Sequence, residues 1–472
     1  MPKRLISKIK DLISSNGSHQ PKARVIGSSE HGFRPETLNP NAVTVIETLT
    51  AAGHEAYLVG GCIRDSLLGK TPKDFDVATS AHPEEIKALF RNCRLIGRRF
   101  RLAHVRFGRE IIEVATFRGC HSKAGSNDKH QSSQSAQGML LRDNVFGTLE
   151  EDALRRDFTA NALYYRHSDG AIIDYVNGFD DIQNHTLRLI GDPEQRYKED
   201  PVRMLRAIRF AAKLGFKMTA STEKPIIEHA ELLGHIPPAR LFEEIQKLFL
   251  SGAAENVWRL LKQFDIAPWL FPNSTPDSNP NPAYQAMIDQ IMINTDLRIA
   301  QGKPVTPAFL FAVMLWGPLM QRWEQVKASG VPPVPAMQQA IQYTISDQIK
   351  FTSIPKRFVI PLREIWELQL KLPRRNGQRA NRTLEHPRFR AAYDLLLLRE
   401  SADETTPGLG EWWTQYQEAD AATRKAMVEQ QQSQSPQGKR RRGHRRRPRR
   451  RNSNSNSNSN SKNSQARQNN PG

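Results

Sequence analysis

The chain has 472 residues, with 68 Lys and Arg against 49 Asp and Glu and a formal net charge of +19. That length allows two or three domains with a substantial core and excludes a peptide-sized module. The charge is uneven, because the segment from Lys439 onward holds twelve Lys and Arg and no acid, which leaves +7 for residues 1–438. Three scattered cysteines, Cys62, Cys93 and Cys120, argue against a disulfide framework and for a reducing, cytoplasmic setting, and no run of about eighteen apolar residues marks a membrane span.

Residues 1–35 read as a flexible segment. MPKRLISKIKDLISS is basic with isolated apolar residues and lacks a signal peptide's continuous apolar core. A weak amphipathic helix there would permit peripheral membrane association with anionic lipid. The folded part is expected from near Pro35, with a helix over Asn41–Ala52. Ala56–Val59 is short, apolar and aromatic, a buried strand that ends at Gly60 and Gly61. A helix from about Cys62 to Leu68 follows, stopped by Gly69.

This junction carries chemistry. Glycines let a backbone approach a ligand closely, and the helix N-terminus behind them offers free N–H groups, so a triphosphate suits the spot. Arg64 would add a forked pair of donors to phosphate oxygens. Asp74, Phe75, Asp76 and Val77 alternate, so on a strand both carboxylates share one face, the arrangement that holds Mg²⁺, or Mn²⁺, for phosphoryl transfer.

Next come a helix over Pro83–Phe90 and two alternating segments, Arg99–Phe107 and Glu110–Phe117, parted by Gly108 and Arg109. That is a hairpin signal. A two-residue loop sets His104 across from Glu113 and Val105 across from Ile112. Cys120 to Gly138 is polar and aperiodic and reads as a solvated, mobile loop in preference to a metal site built from Cys120, His121 and His130. From Asp152 a helix is expected through LRRDFTANALYY, its opening acids favourably placed against the dipole as a solvated start, with Leu154, Phe158 and Ala162 on one stripe and Asp157 and Asn161 on another. One further strand lies at Ala171–Tyr175.

Beyond Gly191 the period is helical, over Pro201–Leu214, Pro238–Leu250, Val257–Phe264 and His386–Arg399. Asp200 reads as an N-cap with Pro201 at the first helical position. Val202, Leu205, Ile208 and Ala212 form its apolar stripe, while Arg203, Arg206 and Arg209 line another face. Prolines between Ala267 and Pro282 and near Pro332–Pro335 suggest linkers or loops. Trp412, Trp413 and Tyr416 read as body packing rather than a base-stacking platform. The tail, KRRRGHRRRPRRR and then alternating Asn-Ser, is expected to be disordered yet able to hold RNA through Lys439, Arg440, Arg441, Arg442, Arg445, Arg446, Arg447, Arg449, Arg450 and Arg451.

The glycine pair with Arg64 and Asp65, followed by Asp74-x-Asp76, resembles the polymerase-beta-like nucleotidyltransferase superfamily, in the branch that holds bacterial poly(A) polymerases and tRNA CCA-adding enzymes. The resemblance implies an α+β chain: an N-terminal mixed-sheet nucleotidyltransferase head, then an all-α neck and body and the disordered basic tail. The expected domains are a flexible segment 1–35, a catalytic head 36–185, a neck 186–265 for nucleotide and RNA, an RNA-binding body 266–430 and the tail 431–472. Asp74 and Asp76 would hold the metal and Gly60, Gly61 and Arg64 the nucleotide. In the segment RRDFT, Arg156 would contact the triphosphate and Asp157 would join Asp74 and Asp76 as a catalytic acid, with Glu113 the competing third carboxylate and His104 its alternative partner. Glu199, Asp200 and Arg203 would read the incoming base, and Arg203 and Arg206 would reach the phosphates, so no DNA template is needed.

RLIGRRFRLAHV (Arg94–Val105), MLLRDNVFGTLEEDA (Met139–Ala153), IPPARLFEE and the basic tail resemble the poly(A) polymerase side of that branch. The implied activity is addition of AMP from ATP to RNA 3′-hydroxyl ends with release of pyrophosphate, in polyadenylation, processing and decay of mRNA. The alternative is a tRNA CCA-adding enzyme using CTP and ATP, and a scaffold on an inactivated fold is a third reading. Implied partners are ATP, single-stranded 3′ ends of mRNA and small RNA, and RNA-degradation factors, with the chain a monomer.

Overall fold

The computed structural model describes residues 23–97, 101–119, 132–134, 140–143, 145–405 and 407–434. The N-terminal residues 1–22, Cys120, His121, His130 and the whole arginine tail lie outside the described residues, so the readings made of them stand as expectations.

The head is built on one mixed sheet. Its strands are β1 (Arg24–Ile26), β2 (Ala56–Val59), β3 (Asp76–Thr79), β4 (Cys93–Ile96), β5 (Leu102–Phe107), β6 (Glu110–Thr116), β7 (Leu163–Tyr165) and β8 (Ile172–Asp174). They run in the order β1-β8-β7-β2-β3-β6-β5-β4, antiparallel except for the parallel pair β3 and β6. The hairpin has the expected register, His104 opposite Glu113 and Val105 opposite Ile112. Parallel pairing then sets Asp76 beside Glu113.

Helices α1 (Pro40–Ala51), α2 (Gly61–Leu67) and α3 (Pro83–Leu89) follow the sequence reading. Asn39 caps α1 by accepting from the amides of Asn41 and Ala42, and Pro40 takes the first turn, where its missing N–H costs nothing. Ala42, Val45, Ile46 and Leu49 are its buried stripe.

Three expectations change. The folded chain begins before Pro35, because β1 pairs with β8 at the sheet edge and Phe33 is buried behind it against Tyr165. Strand β4 was missed, since its half-exposed edge position carries only a weak alternation. The helix expected from Asp152 is instead α4 (Leu149–Leu154), a turn over Thr159–Asn161 and strand β7. Thr148 fixes the start three residues early through a reciprocal capping box with Glu151. Leu163, Tyr164 and Tyr165 are buried on both faces, so the sheet outweighs a helical period that is only locally plausible.

Asp152 is correspondingly not a solvated helix start. It is 1% exposed. Its Oδ1 accepts from Arg155 Nε and Nη2 and from the Arg118 amide, and its Oδ2 accepts from Tyr164 Oη at 2.6 Å and from Arg156 Nε and Nη2. Burial would push this carboxyl up, but Arg156 and Arg155, with the Tyr164 hydroxyl, outweigh it and hold it down at about 2.

The rest is mainly helical, with one short parallel strand pair, Thr186–Leu187 and Lys217–Met218. Next come α5 (Gly178–Gln183), α6 (Pro193–Glu199), α7 (Val202–Leu214), α8 (Pro238–Phe249), α9 (Ala254–Gln263), α10 (Pro282–Ala300), α11 (Pro307–Met314) and α12 (Trp316–Ala328). Then follow α13 (Pro333–Gln348), α14 (Lys356–Gln369), α15 (Phe389–Ser401), α16 (Leu409–Glu418) and α17 (Ala421–Gln434). Helix α7 starts one residue later than expected, and Asp200 still accepts from the Val202 amide at 3.3 Å. The proline-rich stretch before α10 is no free linker: Ser274, Thr275 and Asn279 are buried in it, Ser274 donates to the Met314 carbonyl, and one apolar core runs from the head into the body. Pro282 and Pro333 open α10 and α13. Trp412, Trp413 and Tyr416 are buried in a second cluster, with Trp413 Nε1 donating to the Leu372 carbonyl, as packing rather than stacking requires. Among the described residues no helix is long and apolar enough to cross a membrane.

Two substitutions test this scaffold. A Cβ on Gly178 would stand 2.2 Å from the Thr159 carbonyl oxygen, so Gly178→Ala should cost about 1–3 kcal/mol, read as a lower urea midpoint; an unchanged midpoint would refute the close approach. Asp152→Asn leaves Arg155 and Arg156 without their buried charge and should cost about 3 kcal/mol at neutral pH. Because the folded carboxyl titrates at about 2, below its unfolded value, its contribution is whole above about pH 4 and vanishes as pH falls towards 2. The wild-type advantage over Asp152→Asn should therefore shrink over that window, and a constant difference would contradict the assignment.

Candidate active site

The floor of the site is where β2 turns into α2. Gly60 has φ +80° and ψ −126°, which side chains rarely tolerate, and its amide donates to the Leu163 carbonyl. Gly61 opens α2, and Gly69, at φ +69°, follows its end. Strand β3 runs beside this turn and begins at Asp76, with Asp74 in the loop just before it.

Asp74 and Asp76 are both exposed. Among the described residues neither carboxylate has a hydrogen-bond or ion-pair partner. Crowding by surrounding protein, the Glu113 carboxylate and Asp74 together push Asp76 up to about 6, against the pull of Arg156. Glu113, the register partner of Asp76, has His104 Nε2 at 3.3 Å. This unpaired donor set fits a divalent cation. Among the described residues no group of three or more His, Cys, Asp or Glu side chains encloses a metal, so two carboxylates with phosphate and water oxygens would complete the shell, the coordination Mg²⁺ prefers.

Asp157 is elsewhere. Its carboxylate accepts from Arg206 Nε at 2.6 Å and the Phe158 amide at 2.8 Å, with Asn161 Nδ2 at 3.5 Å. Against the opposing effect of burial, Arg206 holds it below the usual carboxylate range. The structure thus pairs Asp157 with Arg206 rather than joining it to Asp74 and Asp76, and the carboxylate that faces Asp76 is Glu113.

The arginines also depart from the sequence reading. Arg64 is 5% exposed, and its Nε and Nη2 bond Asp65 while Nη1 bonds Asn161. Its fork is closed on its neighbour, so it braces α2 against the turn that carries Asn161. Arg156 is tied to Asp152 and Tyr164, with Nη1 reaching the Asn161 carbonyl at 3.4 Å close to Gly60. Glu199 takes Arg196 and Arg203, Arg203 Nη1 also donates to the Arg196 carbonyl, and Asp200 is bridged to Arg240 at 2.8 Å. Arg196 clamps the loop below by donating to the carbonyls of Arg155 and Arg156, both at 2.6 Å.

Arg209 is the row member with no carboxylate partner among the described residues. Its guanidinium shares the Phe210 ring with those of Arg64 and Arg206, at 4.9, 5.4 and 5.6 Å from the ring centre. Burial, then repulsion by Arg206 and Arg64, pulls its pKa down. Lys213, one turn on, is lowered by burial and by Arg64, Arg209 and Lys73 despite Asp65. Such mutual destabilisation marks a place where anionic charge is missing. Sequence reading placed Arg209 in the row but did not single it out, and it passed over Lys213. Their spacing was visible, but their lack of partners was not. The result is an acidic floor beside a cationic wall, an arrangement suited to a metal-bound polyphosphate.

Comparison with known proteins agrees with this geometry. The model for the poly A polymerase head domain matches residues 56–188, that for a probable RNA and SrmB-binding site of polymerase A matches residues 215–277, and that for the polymerase A arginine-rich C-terminus matches residues 329–451. The chain is similar to poly(A) polymerase I of Salmonella typhi, 47% identical over 416 residues, covering 87% of this chain and 89% of that protein. It is also similar to poly(A) polymerase I of Haemophilus influenzae, 47% identical over 86% of this chain and 91% of that one. A CCA-adding enzyme of Lactobacillus helveticus is 41% identical over 46% of this chain and 52% of its own length. The solved Bacillus stearothermophilus CCA-adding enzyme in complex with CTP shares the fold, with a TM-score of 0.54 and 24% identity over 84% of each chain. With an acidic floor on this head, a cationic wall on α7 beside it and near-half identity over almost the full length, the chain is a nucleotidyltransferase and belongs to the bacterial poly(A) polymerase I family.

Proposed function

We propose that the chain is a template-independent RNA polymerase that adds AMP from ATP to RNA 3′-hydroxyl ends, in polyadenylation, processing and decay. The observation that carries this reading is the unpartnered pair Asp74 and Asp76 facing Glu113 at the foot of the Gly60 turn, in a chain similar along most of its length to poly(A) polymerase I. Matches to CCA-adding sequences such as that of Lactobacillus helveticus extend over only about half the chain, which favours ATP addition over the CCA alternative.

In the reaction the RNA 3′-oxygen attacks the α-phosphorus of ATP. One O–P bond forms as the bond to the α,β-bridging oxygen breaks, the hydroxyl proton passes to water, and the electron pair leaves with pyrophosphate. Asp74 and Asp76 would hold Mg²⁺, which when bound would supply the positive charge that acidifies the attacking hydroxyl and offsets the charge on the departing pyrophosphate. Glu113 completes the acidic centre in place of Asp157. Gly60 and Gly61 leave bare backbone for the phosphates, and Arg209 and Lys213 supply cations not already spent on carboxylates. Glu199, Asp200 and Arg203, held by Arg196 and Arg240, present fixed polar edges to the incoming base. Head, neck and body divide near residues 185 and 265, the head beginning at β1, with RNA carried by the body and the arginine tail.

The deciding assay gives the full-length protein Mg²⁺, a generic RNA primer, a tRNA lacking its 3′ end, and each nucleotide separately. Long ladders with ATP alone are expected; CTP-dependent addition that stops after three nucleotides on tRNA would replace this reading by the alternative. Asp74→Ala and Asp76→Ala should each abolish incorporation while melting as wild type, since neither carboxylate holds a structural partner, and activity retained in either would sink the metal assignment. Deleting residues 438–472 should weaken primer binding and processivity and reduce the salt slope by at most about 7, with single-nucleotide addition nearly intact; loss of that addition would show the tail acting in the chemistry.

A further inference from the structure

Four body helices pack in a closed ring, α10 on α11, α11 on α14, α14 on α15, and α15 back on α10. Between them lies an open cavity of about 780 Å³. Its floor is apolar and partly aromatic, with Ile291, Phe309, Phe358 and Leu398. Arg298, Arg357, Arg388 and Arg390, all exposed, stand around it. Arg388 is matched by Glu364 at 3.2 Å and Arg390 by Asp394 at 3.0 Å. The other two have no carboxylate partner among the described residues: Arg298 donates to the Pro304 carbonyl, and Arg357 lies 4.9 Å from the centre of the Phe358 ring.

Two further observations point to a missing ligand. Helix α14 opens on Lys356 and Arg357 and has no side-chain cap, so two cations sit where free N–H groups and the helix dipole already make the potential positive. An anion there would relieve both. Thr295, on the α10 wall, is 1% exposed, and its hydroxyl has no hydrogen-bond partner. Buried hydroxyls are normally paired, so this one, without a partner among the described residues, leaves a hydrogen bond unmade beside the cavity.

We infer that this cavity is a subsite for single-stranded RNA, taking roughly two nucleotides of the primer upstream of its 3′ end. Bases stack on Phe309 and Phe358, and phosphates meet Arg298, Arg357 and the α14 N-terminus. Arginines along the backbone path with aromatic faces for the bases are how sequence-tolerant single-strand sites are built. The Thr295 hydroxyl and the amides of Asn294 and Gln301 offer donors and acceptors that suit base edges, which the carboxylates of an acidic peptide would leave half used. The inference rests on the polymerase reading and extends it to the body.

The test uses full-length protein, ATP and Mg²⁺ with two oligo(A) primers, one too short to reach the body and one long enough to cross it. Arg357→Glu places an acid at a helix N-terminus, so the fold is kept; Thr295→Val preserves shape and removes only the hydroxyl. For Arg357→Glu the ratio of long-primer to short-primer KM should rise roughly tenfold, with a smaller rise for Thr295→Val, and a photoreactive base placed upstream should crosslink to the peptides around Phe309 or Phe358. Wild type that extends neither primer defeats the polymerase reading itself. Wild type that extends both, with variants of unchanged ratio, overturns the subsite alone. Unchanged RNA affinity with loss of binding to a glutamate-rich amphipathic peptide would overturn it in favour of a protein partner.

Discussion

One buried carboxylate holds the site together. Asp152 gathers the end of β6, the residues after α4 and strand β7 onto a single charge by accepting from Arg118, Arg155, Arg156 and Tyr164. Burying a carboxylate is costly unless its oxygens are fully engaged, and here both oxygens are, by two guanidiniums, an amide and a phenol. Alternatives to this geometry would strand at least one charge in a dry interior. Arg156 is fixed beside Gly60 as a result, and the carbonyls of Arg155 and Arg156 are turned to receive Arg196 from α6. A charge cluster in the head therefore sets where the neck docks.

The neighbouring charges divide into two groups. Arg64 with Asp65, Arg206 with Asp157, Arg203 with Glu199 and Arg240 with Asp200 are closed pairs that brace the walls. Asp74 and Asp76 on the floor, and Arg209 and Lys213 on the wall, have no partner of opposite charge at bonding distance among the described residues. Burial first, and like charges after it, push Asp76 up and pull Arg209 and Lys213 down. A ligand carrying both a dication and a polyphosphate would offset both imbalances at once.

The residues legible in sequence were those whose signal is local. The strand before Gly60 and the hairpin register follow from alternation and turn chemistry within a few residues, and the structure has both, whereas of the two carboxylates expected on one strand only Asp76 lies on it, with Asp74 in the loop before. What sequence could not give was pairing across distance. Asp157 and Arg206 are 49 positions apart and Arg64 and Asn161 are 97 apart, so their mutual engagement depends on tertiary packing. The segment after Leu154 failed for the same reason: its helical period is genuine, but burial on both faces of the sheet decides for a strand.

Helix α7 shows how the two levels join. Val202, Leu205 and Ile208 are buried on the face that packs into the continuous core, which fixes the rotation of the helix about its axis. With a period of 3.6 residues, that rotation alone sets where Arg203, Arg206 and Arg209 project. Arg203 and Arg206 then find carboxylates from α6 and from the loop after α4, and Arg209, one turn further, passes both. That Arg209 has no carboxylate partner among the described residues thus follows from the apolar packing that sets the helix rotation. A phosphate bound there meets a side chain that has already lost much of its freedom against the Phe210 ring, so less ordering entropy opposes binding than for a lysine on a solvated surface.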